Sequence, residues 1–167
     1  SAMKGIFCGG DKNPETLKNK LNIALKKAKC TKIVREGYGL TECAPPCAIN
    51  PDRNQEIGSI GIPCANVLAK IVEPGTETEL PYGVDGELCV SAPTNMLYYL
   101  NEPEETANTL RKHSDGYTWV HTGDICSMSE NGFIFFKLRQ KRMIKVSGIC
   151  VYPTLVEESV GQRSVRR

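Results

Sequence analysis

Residues 31–42 read Thr-Lys-Ile-Val-Arg-Glu-Gly-Tyr-Gly-Leu-Thr-Glu, and this stretch decides how the first part of the chain folds. The β-branched run at residues 31–35 predicts a strand, and a turn with glycine on both sides of Tyr38 follows it. Glycine lets the backbone adopt conformations that other residues resist, and it lets a ligand approach closely. The turn ends on Thr41 and Glu42, a hydroxyl beside a carboxylate. Taken alone, such a pair is more typical of a helix cap than of a catalytic site.

The segment before this turn predicts a parallel strand–helix–strand unit. Residues 3–8 predict a buried strand that ends at the turn signal Gly9-Gly10-Asp11, and Asn13 and Pro14 predict the N-cap and first position of a helix. The residues expected on the buried face of that helix are Leu17, Leu21, Ala24 and Leu25. Because ligands usually bind at the carboxyl ends of parallel strands, both predicted loops are expected to face one site.

From about residue 58 the pattern changes to short strands separated by proline and glycine turns. The predicted strands are residues 67–72, 86–90, 125–127, 133–137 and 143–146. Residues 129–132 predict a hairpin, Pro103 begins a short helix, and Thr154 opens a capping box at a further helix start. This region therefore predicts an antiparallel sheet or a small distorted barrel.

The composition is that of an ordinary globular domain, with 40% hydrophobic residues, 24% charged residues and a formal net charge of +2. Basic residues are scattered among acidic ones, which argues against nucleic acid as a partner. No apolar run reaches the length of a membrane span, and the start lacks the pattern of a secretory signal. We expect a cytoplasmic protein without a transmembrane segment.

Eight cysteines are spread along the chain. Several of them, such as Cys8 and Cys89, lie in apolar strand-like runs and are predicted to pack as small hydrophobic side chains. No Cys-x-x-Cys pair is present and neither histidine has zinc-ligand spacing, so a structural metal is not expected. Reduced thiols are expected instead.

Further motifs follow residues 37–42 in a fixed order. They are Gly86-Glu87-Leu88, Pro103-Glu104-Glu105-Thr106, Trp119-Val120-His121-Thr122-Gly123-Asp124, Asn131-Gly132 and residues 138–148. In order and spacing the set resembles the adenylate-forming ligases, which comprise acyl-CoA synthetases, peptide-synthetase adenylation domains and firefly-type luciferases. The resemblance runs from about Gly5 to Glu157 and rests on several separated motifs.

The resemblance implies that the turn after the second strand binds nucleotide. Tyr38 would pack against adenine, the Thr41 hydroxyl would donate to the α-phosphate, and Glu42 would hold Mg²⁺, which prefers carboxylate oxygen. Both Thr41 and Glu42 would thereby be catalytic. The glycines Gly9, Gly10 and Gly39 would admit the ligand. The structural alternative for these residues is an ordinary turn with a capping pair.

The downstream motifs imply the rest of the site. Asp124 would accept hydrogen bonds from the ribose hydroxyls, and Arg139 would contact the ribose just before a hinge. Lys145, with Gly148, matches a lid segment that is presented to the site for thiol transfer. The structural alternatives are a hairpin aspartate for Asp124 and a solvated basic strand for Arg139 and Lys145.

The fold class implied by these observations is α+β, and the chain is expected to be an internal piece of a longer ligase. Residues 1–57 would be the βαβ portion of a large N-terminal domain, residues 58–138 an antiparallel β-rich subdomain, and residues 139–167 a hinge and the beginning of a small α/β lid. The remainder of the parent chain is expected to pack on the first strand.

The function implied is ATP-dependent activation of a carboxylic acid as an acyl-adenylate, followed by transfer to CoA, with ATP or AMP, Mg²⁺ and CoA bound. The family's phosphate loop and a final lysine would lie outside this chain, so the chain alone is expected to be inactive. Three alternatives stay open: a non-catalytic AMP/ATP-binding module, a structural or interaction domain on the same scaffold, and a peptide-synthetase-type adenylation domain.

Overall fold

The computed structural model describes residues 5–10, 15–140, 144–146 and 149–151 of the 167-residue chain, the last two segments as backbone only. The described residues form a mixed α/β fold with a four-stranded sheet, a five-stranded sheet and a separate two-stranded pair. The α-helices among them are α1 (Glu15–Lys27) and α2 (Pro103–Thr109). Neither helix has the length and apolar character that crossing a bilayer would require.

The first sheet contains the predicted strand–helix–strand unit. Its strands are β1 (Ile6–Cys8), β2 (Val34–Tyr38), β3 (Ala48–Ile49) and β4 (Ile62–Pro63), in that order across the sheet. β1 and β2 are parallel and the other pairs are antiparallel, which confirms the parallel βαβ prediction. The predicted bounds of the second strand were wrong, because β2 begins at Val34 and includes Gly37 and Tyr38. Tyr38 is therefore held by sheet pairing rather than by a turn.

The predicted buried face of α1 is wrong for three of its four residues, because Leu17, Leu21 and Ala24 are exposed and only Leu25 is half-buried. Leu17 is 45% exposed and Leu21 is 43% exposed. The helix lies beside β2, where the Asn22 side chain accepts a hydrogen bond from the Val34 N–H at 2.9 Å. No described element covers the other side of α1. The predicted cap residues Asn13 and Pro14 lie outside the described residues.

The second sheet is antiparallel, as predicted. Its strands are β5 (Leu68–Val72), β6 (Gly86–Ser91), β7 (Leu110–Lys112), β8 (Thr118–Met128) and β9 (Ile134–Arg139). The order is β5-β6-β8-β7, and β9 also pairs with β8. β7 pairs with residues 118–120 of β8 and β9 with residues 124–128, so the two short strands divide the length of β8. The pairings described here form an open sheet.

The predicted strand at residues 125–127 is too short, because β8 has eleven residues. Gly123 lies in its middle with φ 68°, and the registers shift between Glu87 and Cys89 and between Ile125 and Cys126. Such irregularities bend a strand without ending it. Asp124 is therefore an interior strand residue next to a bend, not the first residue of a hairpin.

The two larger sheets meet at β9. Ile134 donates its N–H to the Gly61 carbonyl at 2.9 Å and accepts from the Ile60 N–H at 2.8 Å. Gly61 has φ +99°, and an added Cβ there would overlap the Ile49 backbone. The shared core draws on both sheets and includes Cys43, Cys47, Ala48, Leu88, Val90, Val120, Cys126 and Ile134. The loop that follows β2 consequently packs against the second sheet.

The remaining predictions concern short elements. The hairpin at residues 129–132 is confirmed, since Gly132 donates to the Ser129 carbonyl at 2.9 Å. The helix that begins at Pro103 is also confirmed. The strand predicted near residue 143 is present as β10 (Ile144–Val146), paired with β11 (Ile149–Val151). Gly148, the predicted capping box at Thr154 and most of the predicted lid lie outside the described residues.

Candidate functional site

The last residue of β2 meets an aspartate in the middle of β8. The Tyr38 phenol donates to Asp124 Oδ2 at 2.7 Å, across 86 residues of sequence. Arg139 lies opposite Asp124 in the β8–β9 register, and its Nε donates to Asp124 Oδ1 at 2.9 Å. Three residues that sequence reasoning had assigned to one site therefore converge on a single carboxylate.

This carboxylate is enclosed, whereas its cationic partner is open to solvent. The Asp124 side chain is 2% exposed and the Arg139 side chain is 52% exposed. Burial, together with the charge of Asp124 and its hydrogen bond, raises the pKa of Tyr38, so the phenol stays protonated. The hydrogen bond to Asp124 likewise raises the pKa of Arg139. Arg139 thus stands between a buried anion and the solvent.

The hydroxyl–carboxylate pair lies three residues beyond Tyr38. A single 3-10 turn spans Thr41–Cys43 and closes with the Ala44 N–H on the Thr41 carbonyl at 3.2 Å. Thr41 is exposed at the start of this turn and Glu42 is half-buried. The Tyr99 phenol donates to Glu42 Oε1 at 2.6 Å. Glu42 is therefore fixed at one oxygen.

Local packing and backbone conformation explain why glycine occupies several positions near this site. A Cβ on Gly9 would lie 2.8 Å from the Gly37 carbonyl oxygen, so β1 ends against β2. A Cβ on Gly39 would overlap Pro45. Gly10 has φ +94° and open space around it, as expected for a turn. Sequence reasoning assigned Gly9, Gly10 and Gly39 to ligand access, and the close backbone approach explains Gly9 and Gly39 without a ligand. The side chain of Lys145 lies outside the described residues.

Comparison with known proteins decides the family. The sequence model of a family described as AMP-binding enzyme matches residues 1–100 of this chain. The chain belongs to the AMP-binding enzyme family.

Relatives within the AMP-binding family include named ligases. A long-chain-fatty-acid–CoA ligase of Salmonella typhimurium is 46% identical over 130 residues, which cover 77% of this chain and 22% of that protein. A probable 4-coumarate–CoA ligase 3 of Dictyostelium discoideum is 32% identical over 157 residues, covering 94% of this chain and 27% of that protein. The chain thus spans about a fifth to a quarter of the length of these relatives.

A solved structure has the same fold. The crystal structure of ATP-bound MatB from Rhodopseudomonas palustris superimposes with a TM-score of 0.73 at 28% identity, covering 91% of this chain and 28% of that one. The adenylate-forming fold expected from the motifs is confirmed by this match.

Behind the site, this AMP-binding chain has a buried polar chain that sequence reasoning missed. Glu87 Oε2 lies 3.0 Å from His121 Nδ1, and His121 Nε2 lies 2.9 Å from His113 Nε2. Glu87 Oε1 also accepts from the Gly123 N–H at 3.1 Å, one residue before Asp124. Both Glu87 and His121 stand inside the motifs quoted for the family. The available signal was a titratable residue in each of two strands, Glu87 beside Leu88-Cys89-Val90 and His121 after Trp119-Val120.

The hydrogen bonds hold Glu87 ionised despite its burial. Burial alone would raise the pKa of this carboxyl, but hydrogen bonds from His121, Gly75 and Gly123 bring the pKa below its usual value. Gly123 has a left-handed backbone conformation, so its N–H points out of the hydrogen-bond ladder of the sheet. Glu87 Oε1 is the acceptor for this N–H. The Glu87 carboxylate thereby fixes the bend that presents Asp124.

The described residues offer Mg²⁺ one carboxylate ligand rather than a set of several protein ligands. Among them no group of three or more His, Cys, Asp or Glu side chains could hold a metal ion. Mg²⁺ is commonly held by one or two carboxylates together with waters and substrate phosphates. Glu42, fixed at Oε1 by Tyr99, fits this kind of site.

Proposed function

We propose that this chain is part of an ATP-dependent acid–CoA ligase, which activates a fatty or other acyl acid as an acyl-adenylate and transfers the acyl group to CoA. The observation that carries the proposal is the convergence of Tyr38, Asp124 and Arg139 beside the Thr41–Glu42 pair. Membership of the AMP-binding family and the names of the ligase relatives support it.

The chemistry has two steps. The substrate carboxylate attacks the α-phosphorus of ATP, and pyrophosphate leaves. The CoA thiol then attacks the acyl carbonyl carbon, and AMP leaves. Neither step needs a covalent bond to the protein, so catalysis depends on placing the reactants and stabilising the charge on phosphate.

The residues of this chain supply parts of that placement. The exposed Thr41 hydroxyl donates to the α-phosphate, and the Tyr38 ring contacts adenine while its phenol holds Asp124. Gly9, Gly10 and Gly39 line the pocket around the adenine or acyl group. Bound at Glu42, Mg²⁺ would neutralise phosphate charge.

Asp124 receives the ribose hydroxyls in this proposal. Both of its oxygens already accept hydrogen bonds, but an ionised carboxylate offers about four lone-pair sites. The exposed Arg139 lies on the solvent side of the carboxylate, so the ribose approaches from that side. Arg139 then either keeps its hydrogen bond to Asp124 beside the ribose or moves to hydrogen-bond the sugar.

The remaining assignments concern the whole protein. We place residues 1–57 in a large N-terminal domain, residues 58–138 in its β-rich subdomain, and residues 139–167 at a hinge and lid that carries Lys145 for thiol transfer. In this proposal the ligase is cytoplasmic, and the 167-residue chain alone does not turn over.

The test uses AMP calorimetry on this chain and acid-dependent pyrophosphate release by the full-length protein. Loss of a hydrogen-bonded charged acceptor costs about 1.5–3 kcal/mol, so Asp124→Ala should weaken AMP binding by roughly 10- to 100-fold. The matched control is Asp85→Ala, which changes an exposed carboxylate paired with Lys137 and should leave AMP binding unchanged.

The outcomes separate the alternatives. No heat with AMP would point to a structural or interaction domain. AMP binding without acid-dependent pyrophosphate release by the full-length protein would point to a non-catalytic module. Pyrophosphate release with an amino acid but not with a fatty or other CoA-ligase acid would favour an adenylation domain.

A further inference from the structure

A short segment between β6 and α2 is hydrogen-bonded to the Thr41–Cys43 turn. We call residues 94–99 the clamp segment; it makes three hydrogen bonds to the turn. The Thr94 hydroxyl donates to the Cys43 carbonyl at 2.6 Å, and the Met96 N–H donates to the Glu42 carbonyl at 2.7 Å. The Tyr99 phenol donates to Glu42 Oε1 at 2.6 Å. Glu42 is thus held at both its backbone and its side chain by residues more than fifty positions away.

The end of the clamp segment is itself anchored to α2. The Tyr99 N–H donates to the Thr106 hydroxyl oxygen at 2.9 Å, and that hydroxyl donates to the Glu102 carbonyl at 2.7 Å. The backbone of Tyr99 is therefore fixed by α2, and its phenol is fixed by the turn.

The Tyr99 O–H is the donor in its hydrogen bond to Glu42, and Oε1 is the acceptor. A carboxylate fixed at one oxygen loses less rotational freedom when its other oxygen binds a cation.

We propose that Tyr99 is a positioning residue for metal binding at Glu42: its phenol fixes Oε1 and leaves Oε2 for the Mg²⁺ of the Mg²⁺–nucleotide complex. The inference rests on the proposed function, since it takes Glu42 as the metal-binding carboxylate. Tyr99 acts through Glu42 and touches neither substrate nor metal.

The experiment measures metal affinity directly in the full-length protein. Mn²⁺ replaces Mg²⁺ as a paramagnetic probe, ATP is kept below the protein concentration so that little free ATP chelates the metal, and free Mn²⁺ is followed by electron paramagnetic resonance. Tyr99→Phe keeps the ring and removes the O–H, so the Mn²⁺ dissociation constant should rise by about 5- to 10-fold, as expected when one side chain is no longer ordered before the metal binds. Binding of metal-free AMP should change less than twofold.

The neighbouring tyrosine supplies a matched control. Tyr98 is 62% exposed and makes none of the three hydrogen bonds between the clamp segment and the turn, so Tyr98→Phe removes an equivalent hydroxyl and should leave the Mn²⁺ dissociation constant unchanged. If Tyr99→Phe does not fold, Thr106→Val tests the same anchor by removing the partner of the Tyr99 N–H, and a smaller rise is expected.

The results separate this inference from the proposed function. Equal Mn²⁺ affinity in wild type and Tyr99→Phe, with a weaker affinity in Glu42→Gln, would overturn the role of Tyr99 alone. An equal loss of Mn²⁺ and metal-free AMP binding in Tyr99→Phe would also overturn it, because that pattern is general misfolding. Unchanged Mn²⁺ affinity in Glu42→Gln would remove the metal role of Glu42 on which the inference stands. Absence of acid-dependent pyrophosphate release in wild type contradicts the proposed function whatever the Tyr99 result.

Discussion

At the scale of single residues, Asp124 joins the two larger sheets. Its carboxylate receives one hydrogen bond from the end of β2 and one from β9, and it is almost completely buried. A buried charge is tolerated only when it is paired and hydrogen-bonded, so each partner of Asp124 contributes to folding as well as to any binding role. The two partners differ in burial, and therefore in what their loss should do.

Tyr38→Phe should destabilise the chain. The substitution keeps the ring and removes one hydrogen bond to a buried carboxylate, which costs about 1.5–3 kcal/mol of unfolding free energy. Urea denaturation measures this loss. Tyr82→Phe is the control, because Tyr82 is 62% exposed and its substitution should change the unfolding free energy by less than about 0.5 kcal/mol. Equal stability of wild type and Tyr38→Phe would mean that the phenol does not support Asp124.

Arg139→Ala should affect nucleotide binding more than stability. About half of the Arg139 side chain is exposed, so solvent screens its pairing with Asp124, and we expect a stability loss of no more than about 1 kcal/mol. AMP affinity should fall by roughly tenfold if, as proposed, the guanidinium contacts the ribose. Calorimetry measures the affinity. Tighter AMP binding by Arg139→Ala would show that the guanidinium only blocks access to Asp124.

At the scale of elements, the turn after β2 is set by one close approach. Gly39 leaves room for Pro45, and an added Cβ would overlap the proline ring. Gly39→Ala should therefore destabilise the chain by about 1–3 kcal/mol, as overpacking in tight regions does. Gly83→Ala is the control: Gly83 has φ +82° but no atom near an added Cβ, so only the backbone cost of about 1 kcal/mol applies. Denaturant midpoints of the two variants compare the effects, and a smaller loss for Gly39→Ala than for Gly83→Ala would contradict this explanation.

The strands β6, β7 and β8 share a second polar feature, the chain from Glu87 through His121 to His113. If His121 donates from Nδ1 to Glu87, its neutral Nε2 accepts from His113 Nε2, and His113 Nδ1 keeps a lone pair. That Nδ1 atom is buried and has no hydrogen-bond partner in the described part of the chain. Protonation of His113 would therefore create a buried positive charge, and the new N–H at Nδ1 would have no hydrogen-bond acceptor among the described residues.

The stability of the chain should consequently depend on pH. Burial, and then the charge of Lys70, lower the pKa of His113 from its usual 6.5, and His121 lowers it further once protonated, against smaller opposing effects of Glu77 and Asp115. Below pH 6.5 the unfolded chain binds a proton that the folded chain does not, so this contribution is present above pH 6.5 and is lost as the pH falls toward the folded pKa. One such proton changes the unfolding free energy by at most about 1.4 kcal/mol per pH unit.

Urea unfolding between pH 7.5 and 5.5 checks this expectation. His113→Gln cannot titrate but can still donate to His121, so its unfolding free energy should vary less with pH than that of wild type. Glu87, whose folded pKa is lowered, loses its contribution only below the usual carboxyl range and so does not enter this window. Parallel pH profiles for the two proteins would exclude His113 as the source.

The elements also show which predictions the sequence could support. The βαβ unit, the hairpin at residues 129–132 and helix α2 follow from local signals, and they are present. The partner of Asp124 was out of reach, because Tyr38 and Asp124 are 86 residues apart and no local pattern couples them. Tyr99 was missed for the same reason, since its acceptor is 57 residues away. Sequence motifs thus assigned residues to one site, while the hydrogen bonds that hold them depend on tertiary packing.

At the scale of the whole molecule, β1 and α1 form a layer that the described residues cover on one side only. β1 has β2 as its single partner among the described strands, and parallel sheets are usually buried on both faces. On α1, Leu17 and Leu21 are one helical turn apart and both are exposed. We call Leu17 and Leu21 the α1 apolar surface. The expectation that more of the parent protein packs on this layer stays a prediction, and it agrees with the small share of its relatives' length that the chain spans.

The α1 apolar surface should make the isolated 167-residue chain self-associate. Exposed apolar surface of this kind favours contact between copies, so sedimentation velocity should show a weight-average mass that rises with concentration up to about 100 µM. Leu17→Glu combined with Leu21→Lys replaces the apolar pair by an oppositely charged pair one turn apart and should keep the chain monomeric. Thr16→Glu combined with Asn19→Lys is the control, because these exposed residues are already polar, the net charge stays the same as in the leucine variant, and the change should leave association as it is. A wild-type chain that stays monomeric across this range would mean that α1 needs no further cover.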